Sequence, residues 1–189
     1  ADNSSAELKV ISPREPDHEY NVEHRGNLFY IRSNKGAKNF RVVTAPDTDP
    51  SQQNWTELIA HRPLIKIEDL DAFADHLVLS EWEKGLQKLE VFDFKNKKQV
   101  DIGFPEPVYS ASLADNREFN THVLRYRYQS LVTPASVFDY DMNTRDTLET
   151  RHGVPKQIAA QCGFANVDML RRAFVRHVGV TPAEYRRHH

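Results

Sequence analysis

Short apolar runs with a two-residue period dominate the chain from Tyr20 to Thr150. Successive side chains of a strand point to opposite faces of a sheet, so this period predicts strands rather than helices. Turn-forming residues separate the runs, and their even spacing favours a β-sandwich or the blades of a β-propeller. Residues 33–36 predict a turn that joins the first two runs into a hairpin. The runs are residues 28–32, 40–43, 55–59, 77–82, 88–94, 123–128 and 136–140.

The charge of the chain is distributed unequally about Thr150. The 189 residues carry a net charge of -2. Residues 151–189 contain seven basic and two acidic residues, a net charge of +5, which leaves -7 for residues 1–150. Such an asymmetry suggests two segments of separate origin and an anionic partner for the basic one. We therefore expect a β domain over residues 1–150 and a separate tail over residues 151–189.

Membrane and disulfide architectures are not expected. No apolar run approaches the ~20 residues of a membrane helix, and residues 1–5 lack an apolar signal core. We expect a soluble, cytoplasmic protein with no membrane partner. The single cysteine, Cys162, excludes an internal disulfide framework and fits best as a small core residue.

No metal or other cofactor is expected either. The nine histidines lack the spacings of helical metal ligands. Asp139-x-Asp141-x-Asn143 resembles the start of a calcium loop. However, Thr144 stands where the turn glycine belongs and Thr150 where the closing glutamate belongs. We interpret this segment as a hairpin turn.

Two segments of the β domain carry a family resemblance. One begins at residues 17–20 and continues through residues 29–34 and 38–40; the other covers residues 125–134 and 137–144. Both resemble the later propeller blades of oligopeptidase B in the prolyl oligopeptidase family, and the resemblance extends over residues 10–148. It implies a β domain in which about three antiparallel blades form a partial, or rearranged, propeller. With the helical tail analysed below, the expected fold is mainly β with a C-terminal α segment.

The same resemblance bears on catalysis. The family places its serine, aspartate and histidine in an α/β-hydrolase domain outside this stretch, and this chain has no G-x-S-x-G elbow. By implication, peptidase activity is not expected. An incomplete propeller would leave an apolar blade face and an unpaired strand edge, to be covered by the tail, a second copy of the chain or a rearranged packing. We therefore expect a homo-oligomer, most simply a dimer, formed through an exposed sheet edge or blade face.

The tail has the local chemistry of three short helices. Pro155 suits a first helical position, and Gly163 suits the residue that ends that helix. Asn166 is a good N-cap for a second helix, which Gly179 ends. That helix places Leu170, Ala173, Phe174 and Val178 on one side and Arg171, Arg172, Val175 and Arg176 mostly on the other. Residues 181–184 form a capping box that begins the third helix.

These tail residues resemble the second helix-turn-helix of the AraC family of transcription regulators. The matching residues are Ile158, Ala159, Gly163, Phe164, Leu170, Phe174, Gly179, Thr181, Pro182, Tyr185 and Arg186. The resemblance implies that the helix from Asn166 to Val178 enters the major groove of DNA. It places Asn166, Asp168, Arg171 and Arg172 nearest the base edges, and Arg176, Arg186 and Arg187 at phosphates.

The family carries two such motifs and this chain carries only the second. Because a lone motif contacts ~4 phosphates, binding should be weak and salt-sensitive, and dimerisation would partly restore it. The leading hypothesis is thus a non-catalytic composite protein with a weak DNA-binding motif on a propeller-fragment scaffold. The arginine row also fits the solvated face of a helical lid that covers the open sheet.

Two other hypotheses stay open. One is a hydrolase relic or recruited hydrolase, peptidase-like or esterase-like, with an improvised triad in a pocket of the β domain. Its candidate residues are Ser110, Ser112, Ser130 and His122, with a nearby aspartate. The other is an artificial or accidental chimera with no evolved function.

Overall fold

The structure, a computed structural model, describes residues 10–152, Ala165 and the helix Val167–Val178. Twelve strands form three four-stranded antiparallel sheets, each with its strands in chain order. We call them blades 1, 2 and 3. This architecture confirms the predicted partial propeller, mainly β with one helix near the C-terminus.

Each blade is a meander of consecutive strands. Blade 1 contains β1 (Tyr20–Arg25), β2 (Leu28–Ser33), β3 (Arg41–Pro46) and β4 (Thr56–Ile59). Blade 2 contains β5 (Ile65–Ala72), β6 (His76–Glu83), β7 (Leu86–Asp93) and β8 (Lys98–Asp101). Blade 3 contains β9 (Tyr109–Leu113), β10 (Val123–Ser130), β11 (Ser136–Asp141) and β12 (Thr147–His152). The seven predicted runs overlap β2, β3, β4, β6, β7, β10 and β11, and the predicted hairpin between β2 and β3 is confirmed.

Turn chemistry fixes the register of the tight hairpins. The β6–β7 loop consists of Lys84 and Gly85, whose φ angles are +52° and +82°. Two successive left-handed residues make a type I′ turn, whose twist matches that of the flanking strands. The calcium-like segment is also a hairpin turn, as predicted, because Asp141 Oδ1 accepts the backbone N–H of Asn143 at 2.8 Å.

The hydrophobic core lies between the blades, and blade 2 is buried on both faces. On β6, Leu77 and Leu79 pack in the cluster shared with blade 1, whereas Val78 packs in the cluster shared with blade 3. A strand that is buried on both faces reads as a continuous apolar run, as β6 does here. Leu124 and Tyr126 complete the second cluster from blade 3.

The outer faces of blades 1 and 3 differ in chemistry. On blade 1, Ile31 and Val43 are buried under partly buried Ile11 and Trp55, so the segment before β1 covers this face. On blade 3, buried residues of β10 alternate with polar residues that point outward. The outward residues include Ser110, Ser112, Arg125, Arg127, Gln129 and Asp139. The outer sheet face of blade 3 is therefore polar among the described residues: Arg125 pairs with Asp139, and Ser110 donates to Gln87 of blade 2.

The tail is described in part. The predicted second helix is present as α1, Val167–Val178, whereas the first and third predicted helices, and Cys162, lie outside the described residues. Strand β12 runs to His152, across the boundary predicted at Thr150. In the described part of the chain, no helix combines the length and apolarity needed to cross a bilayer.

Candidate functional site

Helix α1 carries the described part of the predicted DNA-binding surface. Its sequence is rich in good helix formers, with Asp168 in the first turn and Arg176 in the last, where their charges oppose the helix dipole. Ala173 and Phe174 are half-buried, and the arginines are exposed. The predicted division into an apolar and a cationic side is thus confirmed for the residues whose burial is described.

The exposed side of α1 is mainly cationic. Asp168, Arg171, Arg172 and Val175 lie next to one another on this side, and Arg176 follows Arg172 by one helical turn. Arg172 Nε lies 3.4 Å from the backbone oxygen of Asp168, so its guanidinium lies along the helix surface. The twelve residues of α1 give a helix about 18 Å long.

Three predicted contact residues fall outside this description. Asn166, Arg186 and Arg187 lie outside the described residues, as does the helix that would precede the turn. Four of the seven predicted contact residues therefore lie on α1: Asp168, Arg171, Arg172 and Arg176.

The residues of the hydrolase hypothesis are engaged elsewhere. Ser110 Oγ donates to Gln87 Oε1 at 2.8 Å, and Ser130 Oγ accepts the backbone N–H of Thr133 at 2.9 Å. His122 Nε2 lies 3.4 Å from Asp141 Oδ2, at the opposite end of β10 from Ser130. The pairings of Ser110, Ser130 and His122 describe turn and interblade contacts rather than a nucleophile with its base.

A buried ionic cluster, which the sequence analysis did not predict, lies at the contact between blades 1 and 2. Glu81 is fully buried and Glu90 nearly so, and both face Arg62 and Lys88. Arg62 donates to Glu81, and Lys88 Nζ lies 3.0 Å from Asp101 Oδ1. Burial, together with neighbouring Glu90, raises the pKa of Glu81 despite both cations. The cluster ties the β4–β5 connection to blade 2.

Sequence comparison identifies the family of the β domain. The family described as "Prolyl oligopeptidase, N-terminal beta-propeller domain" matches residues 1–151. The chain belongs to this family. Dipeptidyl aminopeptidase BI of Pseudoxanthomonas mexicana is 36% identical over 137 residues, which are 72% of this chain and 18% of that protein.

Solved structures of prolyl oligopeptidase relatives agree in fold. Oligopeptidase B from Trypanosoma brucei superposes with a TM-score of 0.69 at 26% identity, covering 75% of this chain and 22% of that one. The chain therefore spans about a fifth of the length of these relatives. The family resemblance predicted for residues 10–148 is confirmed.

A shorter match concerns a transcription regulator. HTH-type transcriptional regulator Rv1931c of Mycobacterium tuberculosis is 44% identical over 43 residues, which are 23% of this chain and 17% of that protein.

Proposed function

We propose that this chain binds duplex DNA weakly through α1 and the adjoining tail, with the propeller fragment as its scaffold. The observation that carries the proposal is the exposed row Arg171, Arg172 and Arg176 on a helix whose opposite side is half-buried. Three cations and one anion on a short exposed surface favour a polyanion, because neutralising phosphates releases condensed counterions. The 43-residue match to a helix-turn-helix regulator supports the same conclusion.

The proposed roles follow from position along α1. Asp168, Arg171 and Arg172 lie in its N-terminal half, the part of a recognition helix that contacts base edges. Asn166 would join them there. Arg176, with Arg186 and Arg187, would bind phosphates and set the orientation of the helix without reading sequence.

Fluorescence anisotropy with a labelled random duplex at low salt tests the proposal. We expect measurable binding by the full chain and a loss of about ten-fold or more in the Arg171→Ala/Arg172→Ala variant, because two charge contacts are removed. The matched control is Arg117→Ala/Arg127→Ala, which removes the same charge from exposed positions of blade 3. No binding at low salt, or equal losses in both variants, contradicts the proposal.

We further propose a homodimer formed through an exposed edge of blade 3. Strand β9 is an edge strand, and Val108, Leu131 and Val132 beside its start are exposed by 60, 93 and 62%. An apolar patch beside an unpaired edge favours association with a second copy. Light scattering of the wild type and of Leu131→Ser/Val132→Ser tests this. We expect dimer and monomer respectively, and a monomeric wild type contradicts it.

A further inference from the structure

Two equivalent turns project from blades 2 and 3. In the β7–β8 turn, Asp93 Oδ1 accepts the backbone N–H groups two and three residues further on, at 2.8 and 3.2 Å. In the β11–β12 turn, Asp141 Oδ1 accepts the equivalent groups at 2.8 and 3.0 Å. Each turn then has a left-handed basic residue, Lys97 with φ +57° and Arg145 with φ +70°. The two turns therefore share one backbone design.

A cavity of about 90 Å³ lies between blades 2 and 3 where these turns meet. Its floor includes the buried side chains of Tyr140 and Met142. Its rim is formed by exposed polar residues of both turns: Asn96, Lys98, Asn143 and Arg145. A water molecule occupies roughly 30 Å³ in the liquid, so the cavity has room for a group of a few heavy atoms.

The charge at the rim is cationic. Within residues 10–152 and 167–178, neither Lys98 nor Arg145 forms an ion pair. Asp93 also lines the cavity, but its carboxylate accepts two backbone N–H groups and the side-chain amide of Asn96. The carboxylate of Asp93 is thus engaged within its own turn, whereas no ion-pair partner of Lys98 or Arg145 lies in the described part of the chain.

We propose that this cavity binds an oxyanion group, a carboxylate or a phosphate, with Lys98 and Arg145 as its cationic ligands. A guanidinium offers two parallel N–H donors to such a group, and the amides of Asn96 and Asn143 add neutral donors. The apolar floor lowers the local dielectric constant and strengthens these contacts relative to an open surface. The site is independent of α1 and of the proposed DNA binding.

NMR titration with inorganic phosphate, at an ionic strength held constant with sodium chloride, tests the proposal. We expect saturable shifts of the side-chain amide signals of Asn96 and Asn143. The affinity of the Lys98→Gln/Arg145→Gln variant for phosphate should fall by about ten-fold or more, since both charge-assisted contacts are lost. Lys97→Gln is the matched control, because Lys97 has the backbone conformation of Arg145 but does not line the cavity.

Each outcome of the titration is decisive. Saturable binding of phosphate, or of acetate in a parallel titration, supports the site and shows which anion it prefers. Equal shifts with chloride alone overturn it, as does unchanged affinity in the Lys98→Gln/Arg145→Gln variant. Well-dispersed amide signals in the spectrum of each variant show that the variant is folded, so that a loss of binding is not caused by unfolding.

Discussion

Arg125 and Asp139 form a two-point ion pair across β10 and β11, with Nε 2.7 Å from Oδ1 and Nη2 2.8 Å from Oδ2. The two residues are direct cross-strand partners on the outer face of blade 3. Two parallel hydrogen bonds between a guanidinium and a carboxylate fix both side chains, which an exposed single contact does not do. The pair links β10 to β11 on this face by two hydrogen bonds in addition to those of the backbone.

Loss of this pair should destabilise the fold measurably. Asp139 is largely buried and Arg125 about one-third exposed, so Asp139→Asn should cost about 1–2 kcal/mol of unfolding free energy. Urea unfolding at pH 7 measures this. The control is Glu57→Gln, which removes the exposed partner of Arg41 at 3.4 Å and should cost no more than about 0.5 kcal/mol. Equal effects of the two substitutions contradict the prediction.

Asp71 should make the stability of the fold fall as the pH rises. Burial, with neighbouring Asp69, raises the pKa of Asp71 from 3.8 to about 6. A carboxyl group with a raised pKa binds its proton more tightly in the folded state. The protonated Asp71 carboxyl therefore makes its full contribution to the free energy of unfolding below the unfolded-state pKa. This contribution is lost as the pH rises to about 6. Because the group is partly solvated, we expect a loss of about 1–2 kcal/mol.

The Asp71→Asn variant isolates this effect. At pH 7 it should be more stable than the wild type, and near pH 3.5, roughly at or below the unfolded pKa, it should be equally stable. Urea unfolding across this pH range measures the difference. Asp69→Asn should reduce the pH dependence in part, because Asp69 contributes to the raised pKa. A constant difference between Asp71→Asn and wild type would falsify the assignment.

The β6–β7 hairpin should depend on its glycine. Gly85 has φ +82°, a conformation that strains any residue with a Cβ atom, so Gly85→Ala should destabilise by about 1 kcal/mol or more. Thermal unfolding measures the change. Gly103→Ala is the matched control, because Gly103 lacks a positive φ and its Cβ would meet no atom within 4 Å. A loss of similar size in Gly103→Ala argues against backbone strain as the cause.

The salt dependence of the DNA-binding constant should report how many phosphates the residues of α1 contact. If Arg176 binds one phosphate, Arg176→Ala should reduce the slope of log K against log salt concentration by about 0.9. Anisotropy titrations at several salt concentrations give the slope. Val175→Ala, an exposed uncharged neighbour, should leave the slope unchanged. An unchanged slope in Arg176→Ala removes Arg176 from the phosphate contacts.

The sequence predicts strands where the apolar pattern is clear. Strand β10 alternates, whereas β6 and β7 contain apolar runs bounded by turn residues, and all three are predicted. Strand β5 is not, because Glu68, Asp69 and Asp71 interrupt its apolar pattern and a register shift falls between Ile67 and Asp69. A bulge changes which residues face the core, so a two-residue period cannot reveal such a strand.

The sites show a similar division. Helix α1 follows from local signals, such as the apolar spacing of Leu170, Ala173 and Phe174. The rim cations Lys98 and Arg145 meet only because blades 2 and 3 stack, which no local pattern reports. One local signal points to Arg145 alone: a basic residue follows Asp141 by four residues, whereas the basic residue at the same distance from Asp93 is Lys97, which does not line the cavity. The ionic cluster likewise needs Arg62 from a connecting segment, which strand patterns do not include.

The paired turns of blades 2 and 3 have an evolutionary consequence. In each turn one aspartate carboxylate accepts two backbone N–H groups, so fewer of the side chains between Asp93 and Lys98, or between Asp141 and Asp146, are needed to hold the strands together. Substitutions there can alter what the rim of a blade recognises while the sheet beneath keeps its register. Repeated blades thereby provide several independently variable surfaces on one inherited framework.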